Sequence, residues 1–365
     1  KSKESLVLDP SVAHDFKDGD LVVAQVGTHG GRYGPKPGKV LEVVGTENDP
    51  RAASLIAIHS HGIPTGFSEA AEAEAKTAVE PTLAGREDLR DLPFVTIDPV
   101  DARDHDDAVY AHPDPDATNV GGWVVWVAIA DVAAYVRPGS ALDRDAREKG
   151  NSVYFPDRVE PMLPETLSNG ICSLNPKVDR LCFVCDMHVD FEGEVIRSKF
   201  YEAVMRSHAR LTYTQVWKAV GEKDEEARTQ IGAVLPQVER LHQLYQVLAK
   251  ARSRRGAIEF ESGETRFVLD SKGEVIQAGM LERNDAHKLI EECMLAANVC
   301  AADFLTNHPH PALYRVHDRP PPDKLTALRD FLAASALRLP GGDAPTPADF
   351  AKLLDQVRER ADFDL

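Results

Sequence analysis

Cysteine is scarce in this sequence: Cys172, Cys182, Cys185, Cys293 and Cys300 are the five thiols in 365 residues. Five are too few for a disulfide scaffold of this size, and an odd number fits a reducing compartment. Long apolar runs are also missing. The longest, Trp123–Ala130, is far too short to cross a bilayer as a helix. No apolar leader with a cleavage site is visible, so the expectation is a cytoplasmic protein with no membrane partner. Basic charge is in deficit: 42 Lys+Arg stand against 59 Asp+Glu, a net charge of −17. So acidic a chain meets a polyanion only through a local basic groove or a bound cation, not through its overall field. There is no G-x-x-x-x-G-K-[ST] sequence, which leaves ATP-driven work through a P-loop unsupported. An initiator methionine is absent too, and the chain is expected to begin inside a longer one.

What is present is ordinary globular material, 43% apolar and 28% charged. That excludes collagen-like, mucin-like and wholly disordered classes. One domain per roughly 150 residues gives two or three domains. Residues 1–45 carry two β-rich runs, Leu21–Val26 and Lys39–Val44, separated by the glycine-rich stretch Gly27–Gly38. They read as the end of a small β-barrel with a basic, aromatic-bearing loop at its rim. Residues 46–85 read as a connecting segment. Within it Ser68–Ala78 is Ala/Glu-rich helix material with few large side chains to anchor it, hence a surface helix in a linker.

From residue 86 to 365 the composition is that of a core. Phe94–Ile97 and Trp123–Ala130 read as buried strands, and Leu181–Val189 and Glu194–Val204 as strands joined by the turn Phe191-Glu-Gly193. Ser140-Ala-Leu-Asp143 opens a helix that Gly150 closes. Val238, Leu241, Leu244, Leu248 and Ala251 recur at helical spacing, as do residues from Ala286 to Phe304. The fold class is therefore α+β. Cys182-Phe-Val-Cys185 has C-x-x-C spacing, but it has no second pair and lies on a strand whose alternate residues face opposite sides. His59-Ser-His61 likewise lacks further ligands nearby.

The informative segment is Asp98-Pro-Val-Asp101-Ala-Arg-Asp104-His-Asp106-Asp107: five aspartates and one arginine in ten residues. Such crowded carboxylates cannot all stay ionised unless something positive joins them. Apolar strands flank the cluster, so part of it belongs to the edge of a folded core. Hard oxygens without thiols or a histidine pair favour Mg²⁺ or Mn²⁺ over Zn²⁺. Mg²⁺ keeps positions for water and substrate phosphate, which suits phosphodiester hydrolysis. An acidic surface turn and a structural Ca²⁺ loop are the plainer alternatives. The EF-hand pattern fails, since glycine is missing at the loop centre and glutamate at the twelfth position.

Phe94-Val-Thr-Ile-Asp98 followed by Asp104-His-Asp106-Asp107-Ala108 resembles the signature of the ribonuclease II/R (RNB) family of processive 3′→5′ exoribonucleases. So do Val127–Val132, Asn151–Pro156, Pro161–Pro164, Leu167–Asn175, Ser207–Tyr213 and Asn284–Cys293. The wording is nearer the bacterial ribonuclease R branch than the ribonuclease II branch. The resemblance runs from about residue 86 to the C-terminus, and residues 1–45 look like the tail of the family's second cold-shock (OB-type) domain. It implies a cold-shock barrel end followed by an RNB catalytic domain incomplete at its C-terminus. It implies that Asp98 and Asp107 hold a catalytic Mg²⁺ (Mn²⁺ as substitute), that Asp104 supports the ion and its waters, and that Asp106 is essential for cleavage. Tyr154 and Phe260 match the aromatics that stack on the terminal bases, and Glu291 matches a glutamate contacting RNA near the 3′ end. Arg206, Arg210, Arg252, Arg254, Arg255 and Arg283 are candidates for the RNA backbone.

The expected activity is hydrolysis of single-stranded RNA from its 3′ end to 5′-nucleoside monophosphates, by a monomer. The family's later Ser-Pro-Ile-Arg-Arg-Tyr type segment, whose arginine contacts the cleaved phosphate, is not found here. A chain without it is expected to be inactive alone. An RNA-binding module with an incomplete active centre and a non-catalytic cation scaffold are the competing readings.

Overall fold

The computed structural model describes residues 5–8, 16–27, 35–258, 265–280, 283–309, 311–358 and 360. The strands in chain order are β1 (Leu6–Leu8), β2 (Asp20–Val26), β3 (Lys36–Thr46), β4 (Glu87–Leu89), β5 (Val95–Asp98), β6 (Asp107–Pro113), β7 (Trp123–Ala130), β8 (Val153–Tyr154), β9 (Val159–Glu160), β10 (Asp179–Val189), β11 (Val195–Arg206), β12 (Ala209–Thr212), β13 (Thr265–Leu269) and β14 (Val275–Met280). The α-helices are α1 (Ala52–His61), α2 (Glu69–Ala75), α3 (Ala141–Lys149), α4 (Tyr213–Val220), α5 (Glu225–Ile231), α6 (Leu235–Arg254), α7 (Asp285–Thr306), α8 (Pro322–Ala334) and α9 (Pro347–Val357). The chain divides into two units by contact. One comprises Lys1–Ala78, Val136–Thr166 and Gly263–Leu281; the other comprises Val79–Tyr135, Leu167–Ser262 and Glu282–Leu365.

The first unit contains a three-stranded sheet of order β1-β3-β2. The strands expected at Leu21–Val26 and Lys39–Val44 are both there, within β2 and β3. Most of the glycine-rich stretch between them, residues 28–34, lies outside the described residues. The Ala/Glu-rich segment differs from the expectation of a bare surface helix. Ala71 and Ala75 of α2 are buried, because small side chains let another helix, α3, approach closely. The two helices cap one another. The Asp145 carboxylate of α3 accepts the Ser68 N–H at the start of α2 (2.8 Å), and the Glu74 carboxylate of α2 accepts the Leu142 N–H at the start of α3 (3.1 Å). Each carboxylate satisfies a donor that a helix end leaves orphaned. Ser140 caps α3 and Gly150 closes it, as its sequence dictates.

The second unit is built on a seven-stranded sheet of order β12-β5-β6-β7-β10-β11-β4. Its centre is antiparallel, and parallel pairs close both ends, β12 with β5 and β11 with β4. Both faces are covered. One packs Val109, Val125, Val127 and Met187 against helices α4, α6 and α7. The other buries Phe94, Tyr110, Leu174 and Val184. A centre strand buried on both sides reads as a continuous apolar run rather than an alternating one, which is why Trp123–Ala130 looked as it did. The stripe of α6 from Val238 to Ala251 is buried throughout. The α7 stripe is buried from Ala286 to Cys300, whereas Phe304 stays exposed and rests on Phe200 at 5.4 Å. Gly193, in the turn between β10 and β11, has φ 88°, and a Cβ there would lie 2.9 Å from the Ala251 Cβ; only glycine fits both demands. Cys182 and Cys185 are buried on opposite faces of β10, so their C-x-x-C spacing forms no pair. The helices α8 and α9 bury their own leucine cluster, Leu325, Leu332, Leu339 and Leu353. Among the described residues no helix is long and apolar enough to cross a membrane.

Candidate active site

The aspartate segment turns the chain from β5 to β6 inside the second unit. Asp98 is the last residue of β5 and Asp107 the first of β6. The loop between them is pinned by its backbone: the Ala130 N–H donates to the Asp106 carbonyl and the Leu174 N–H to the His105 carbonyl, both at 2.8 Å. Arg210 of β12 donates to the Ala102 carbonyl at 2.7 Å. His105 is wholly buried. Its backbone N–H donates to Ser173 Oγ at 3.0 Å, and its Nδ1 lies 2.8 Å from Asp98 Oδ2. Its Nε2 is buried without a partner.

These anchors crowd the carboxylates. Burial, followed by the charges of Asp98 and Asp106, pushes Asp107 up to about 7. Asp106 is open to water on one side and walled by protein on the other; that wall, then the charges of Asp104 and Asp98, raises it above the usual carboxylate range. Of the groups acting on these two, only His105 works in the opposite sense. Asp98, Asp104, Asp106 and Asp107 thus share one electrostatic neighbourhood.

Among the described residues no three His, Cys, Asp or Glu side chains converge as a ready-made cage for an ion. The donor set nevertheless fits a hard divalent cation. Its oxygens are carboxylate, no Lys or Arg is among the groups acting on Asp106 and Asp107, and Mg²⁺ takes only one or two protein carboxylates, completing its shell with water and phosphate.

The remaining expected residues fall as follows. Tyr154, on the β8–β9 hairpin of the first unit, is 67% exposed. Phe260 lies outside the described residues. Glu291 sits in the second turn of α7, ion-paired with Arg283 and 3.5 Å from Arg252. The arginines expected along an RNA backbone already have protein partners: Arg206 with Asp179, Arg210 with the Ala102 carbonyl, Arg254 with the Glu192 carbonyl and Arg255 with Glu194.

Sequence reasoning missed Tyr213. Its ring stacks on His287 with centroids 4.0 Å apart, and burial with the charges of Asp98 and Asp107 pushes its hydroxyl up to about 12. The signal was available. Thr212 and Gln215 form a capping box, so Tyr213 opens a helix directly after β12, whose Thr212 pairs with Asp98.

Comparison with known proteins divides the chain along its sequence, not by the two units. Residues 1–68 match the cold shock domain model and residues 86–364 the RNB domain model. The chain is 47% identical over 364 residues to ribonuclease R of Escherichia coli (strain K12), covering 99% of this chain and 44% of that protein. It is 50% identical over 353 residues to ribonuclease R of Vibrio cholerae, covering 95% of this chain and 42% of that one. It therefore spans less than half the length of these relatives. Among solved structures, Mycoplasma genitalium RNase R in complex with ribose methylated single-stranded RNA superposes with a TM-score of 0.89 at 30% identity, over 99% of this chain and 56% of that one. With the RNB model matched over residues 86–364 and a cold shock match ahead of it, the chain belongs to the RNB domain family.

Proposed function

We propose that the chain carries the catalytic centre of a 3′→5′ exoribonuclease that works processively on single-stranded RNA and releases 5′-nucleoside monophosphates. The observation that carries this reading is the pinned β5–β6 loop, which crowds Asp104, Asp106 and Asp107 beside Asp98 and raises both Asp106 and Asp107. Clustered carboxylates held at the end of a buried sheet are unfavourable for stability, and cation-assisted phosphoryl chemistry is what such a cluster serves. Likeness to a ribonuclease R solved with single-stranded RNA supports the substrate class.

Asp98, Asp104 and Asp107 would hold Mg²⁺, or Mn²⁺ in its place. Bound there, the ion supplies a Lewis acid to a phosphate oxygen and acidity to a water. Asp106, raised above the ordinary range and open to water, accepts a proton at a carboxylate oxygen as the water is oriented for attack. His105 keeps Asp98 in one orientation through Nδ1. Tyr154 and Phe260 stack on the last bases, a sequence-tolerant grip because every base has a π-face. Glu291 contacts the strand near its 3′ end. The expected state is a monomer in the cytoplasm.

The test is an internally labelled oligoribonucleotide incubated with Mg²⁺ and a full-length protein that carries this chain. Expected are labelled 5′-nucleoside monophosphates and a short end product with few intermediate lengths, arrest by EDTA, recovery with Mn²⁺, and no attack on the matching oligodeoxyribonucleotide. Cleavage indifferent to EDTA, or equal cleavage of DNA, overturns the reading.

A further inference from the structure

Glu291 is caught between two arginines of different character. Arg283, just ahead of α7, pairs with it from a half-exposed position. Arg252, in the last turn of α6, reaches Glu291 Oε1 at 3.5 Å with the same Nη1 that bonds Glu292 Oε1 at 2.8 Å. The Glu292 side chain is only 5% exposed and that of Arg252 22%. Neighbouring residues on a helix point about 100° apart, so one guanidinium touches both carboxylates only by lying in the groove between α6 and α7. Tyr245 Oη, donating to Asp285 at 3.3 Å, ties the same two helices nearer the start of α7.

The two arginines are not equivalent in strength. An exposed pair such as Arg283 with Glu291 contributes little and fixes little. A guanidinium clamped to a buried carboxylate is rigid, and its fork projects its remaining donors in set directions. Breaking it is costly, since Glu292 would then be buried and unpaired.

We propose that Arg252 is a positioning residue for the RNA contact: anchored on buried Glu292, it holds the Glu291 carboxylate in the orientation in which it meets the strand. This rests on the reading of Glu291 as an RNA contact. Arg252 acts through Glu291, so removing both costs no more than removing one.

The experiment measures binding of a 5′-fluorescein single-stranded oligoadenylate to the full chain by anisotropy, in EDTA so that nothing is cleaved. Arg252→Lys keeps a single charge on Glu292 but loses the fork. Arg252→Met with Glu292→Leu removes the buried pair together and leaves no orphaned charge. Both are expected to weaken binding about ten-fold, the scale of one charge-assisted contact, with Arg252→Lys retaining the wild-type melting temperature. Glu291→Gln should weaken binding equally, and adding it to either variant should change nothing further. Wild-type affinity in Arg252→Lys while Glu291→Gln binds weakly overturns the positioning role alone, and so do losses that multiply in the combined variant. Wild-type affinity in Glu291→Gln overturns the RNA-contact reading and the proposal with it. Should the Met/Leu variant not fold, Arg252→Lys decides the matter.

Discussion

The Nδ1 of His105 and the Oδ2 of Asp98 face each other at 2.8 Å across the mouth of the β5–β6 loop, with the imidazole wholly buried. The contact pins both side chains, the ring on one side and the carboxylate oxygen on the other. Asp98 is thereby oriented from behind, while Asp106, one residue beyond His105, turns to the open side. The loop sorts its acids into a fixed member and a solvent-facing member by alternation alone.

That sorting predicts the effect of Asp106→Asn. The change keeps shape and removes the proton acceptor, leaving the pinned backbone intact. In a full-length protein that carries this chain, cleavage should fall by at least about a hundred-fold, the scale of losing one group that acts in the transition state. RNA affinity should stay within about two-fold, because no like charge is added near the strand. Single-turnover cleavage and anisotropy on the same preparation check it. Normal turnover would show that the acceptor is elsewhere.

Stability tests a different pair. Arg86 Nη2 lies 2.6 Å from Asp131 Oδ2, with side chains 11% and 8% exposed. Asp131 also accepts the Ala134 N–H. Arg86→Met should destabilise the second unit by about 3–5 kcal/mol by stranding a buried carboxylate. Arg86→Met with Asp131→Leu should cost less, since no charge is orphaned. Urea unfolding of the three proteins distinguishes this from simple loss of packing, for which the double change would be the worse.

The loop from β6 to β7 carries an acid-sensitive device. Burial would raise Asp114, but the hydrogen bonds from Asn119 and His188 and from the Asp116 N–H outweigh it and hold the carboxyl down to about 2. A depressed carboxyl binds its proton less readily in the folded protein. Its stabilisation is full above the unfolded value near 4 and is lost as pH falls toward 2. Asp114→Asn should therefore flatten the fall in urea midpoint between about pH 4 and pH 2. An acid limb identical to wild type would show that the loop opens before this carboxyl titrates.

How far the sequence anticipated all this depends on whether the signal is local. The strand Trp123–Ala130, the helix from Ser140 to Gly150 and the α6 stripe were legible because burial pattern and caps lie within each segment. The α1 helix was not: no side chain caps it, and only Ser54 and Ile58 are buried. The β13–β14 hairpin exposes nearly every residue, so it carries no alternation to read. At the site, the acids were legible since five follow one strand. His105, Tyr213 and Arg252 take their meaning from contacts that the topology creates: loop on strand, β12 beside β5, α6 beside α7. Spacing along the chain places Tyr213 at the head of a helix and Arg252 at the end of one, but not the contacts that give them a role.

Tyr154 offers the sharpest separation of grip from chemistry. It lies on a two-strand hairpin whose ring is mostly exposed, so Tyr154→Ala removes little packing and the protein should keep its melting temperature within about 1–2 °C. Stacking on an aromatic contributes about 1–3 kcal/mol per base. That loss matters least when many nucleotides are held and most when few remain. In a full-length protein that carries this chain, long RNA should therefore be shortened at nearly the wild-type rate, while the final product should be several nucleotides longer. The Mg²⁺ concentration for half-maximal rate should not move, because the change removes no carboxylate. A denaturing gel of the end products, run alongside a Mg²⁺ titration, reads both. An unchanged end product would remove Tyr154 from the grip, and a shifted Mg²⁺ midpoint would mean that the ring acts on the carboxylates instead of the bases.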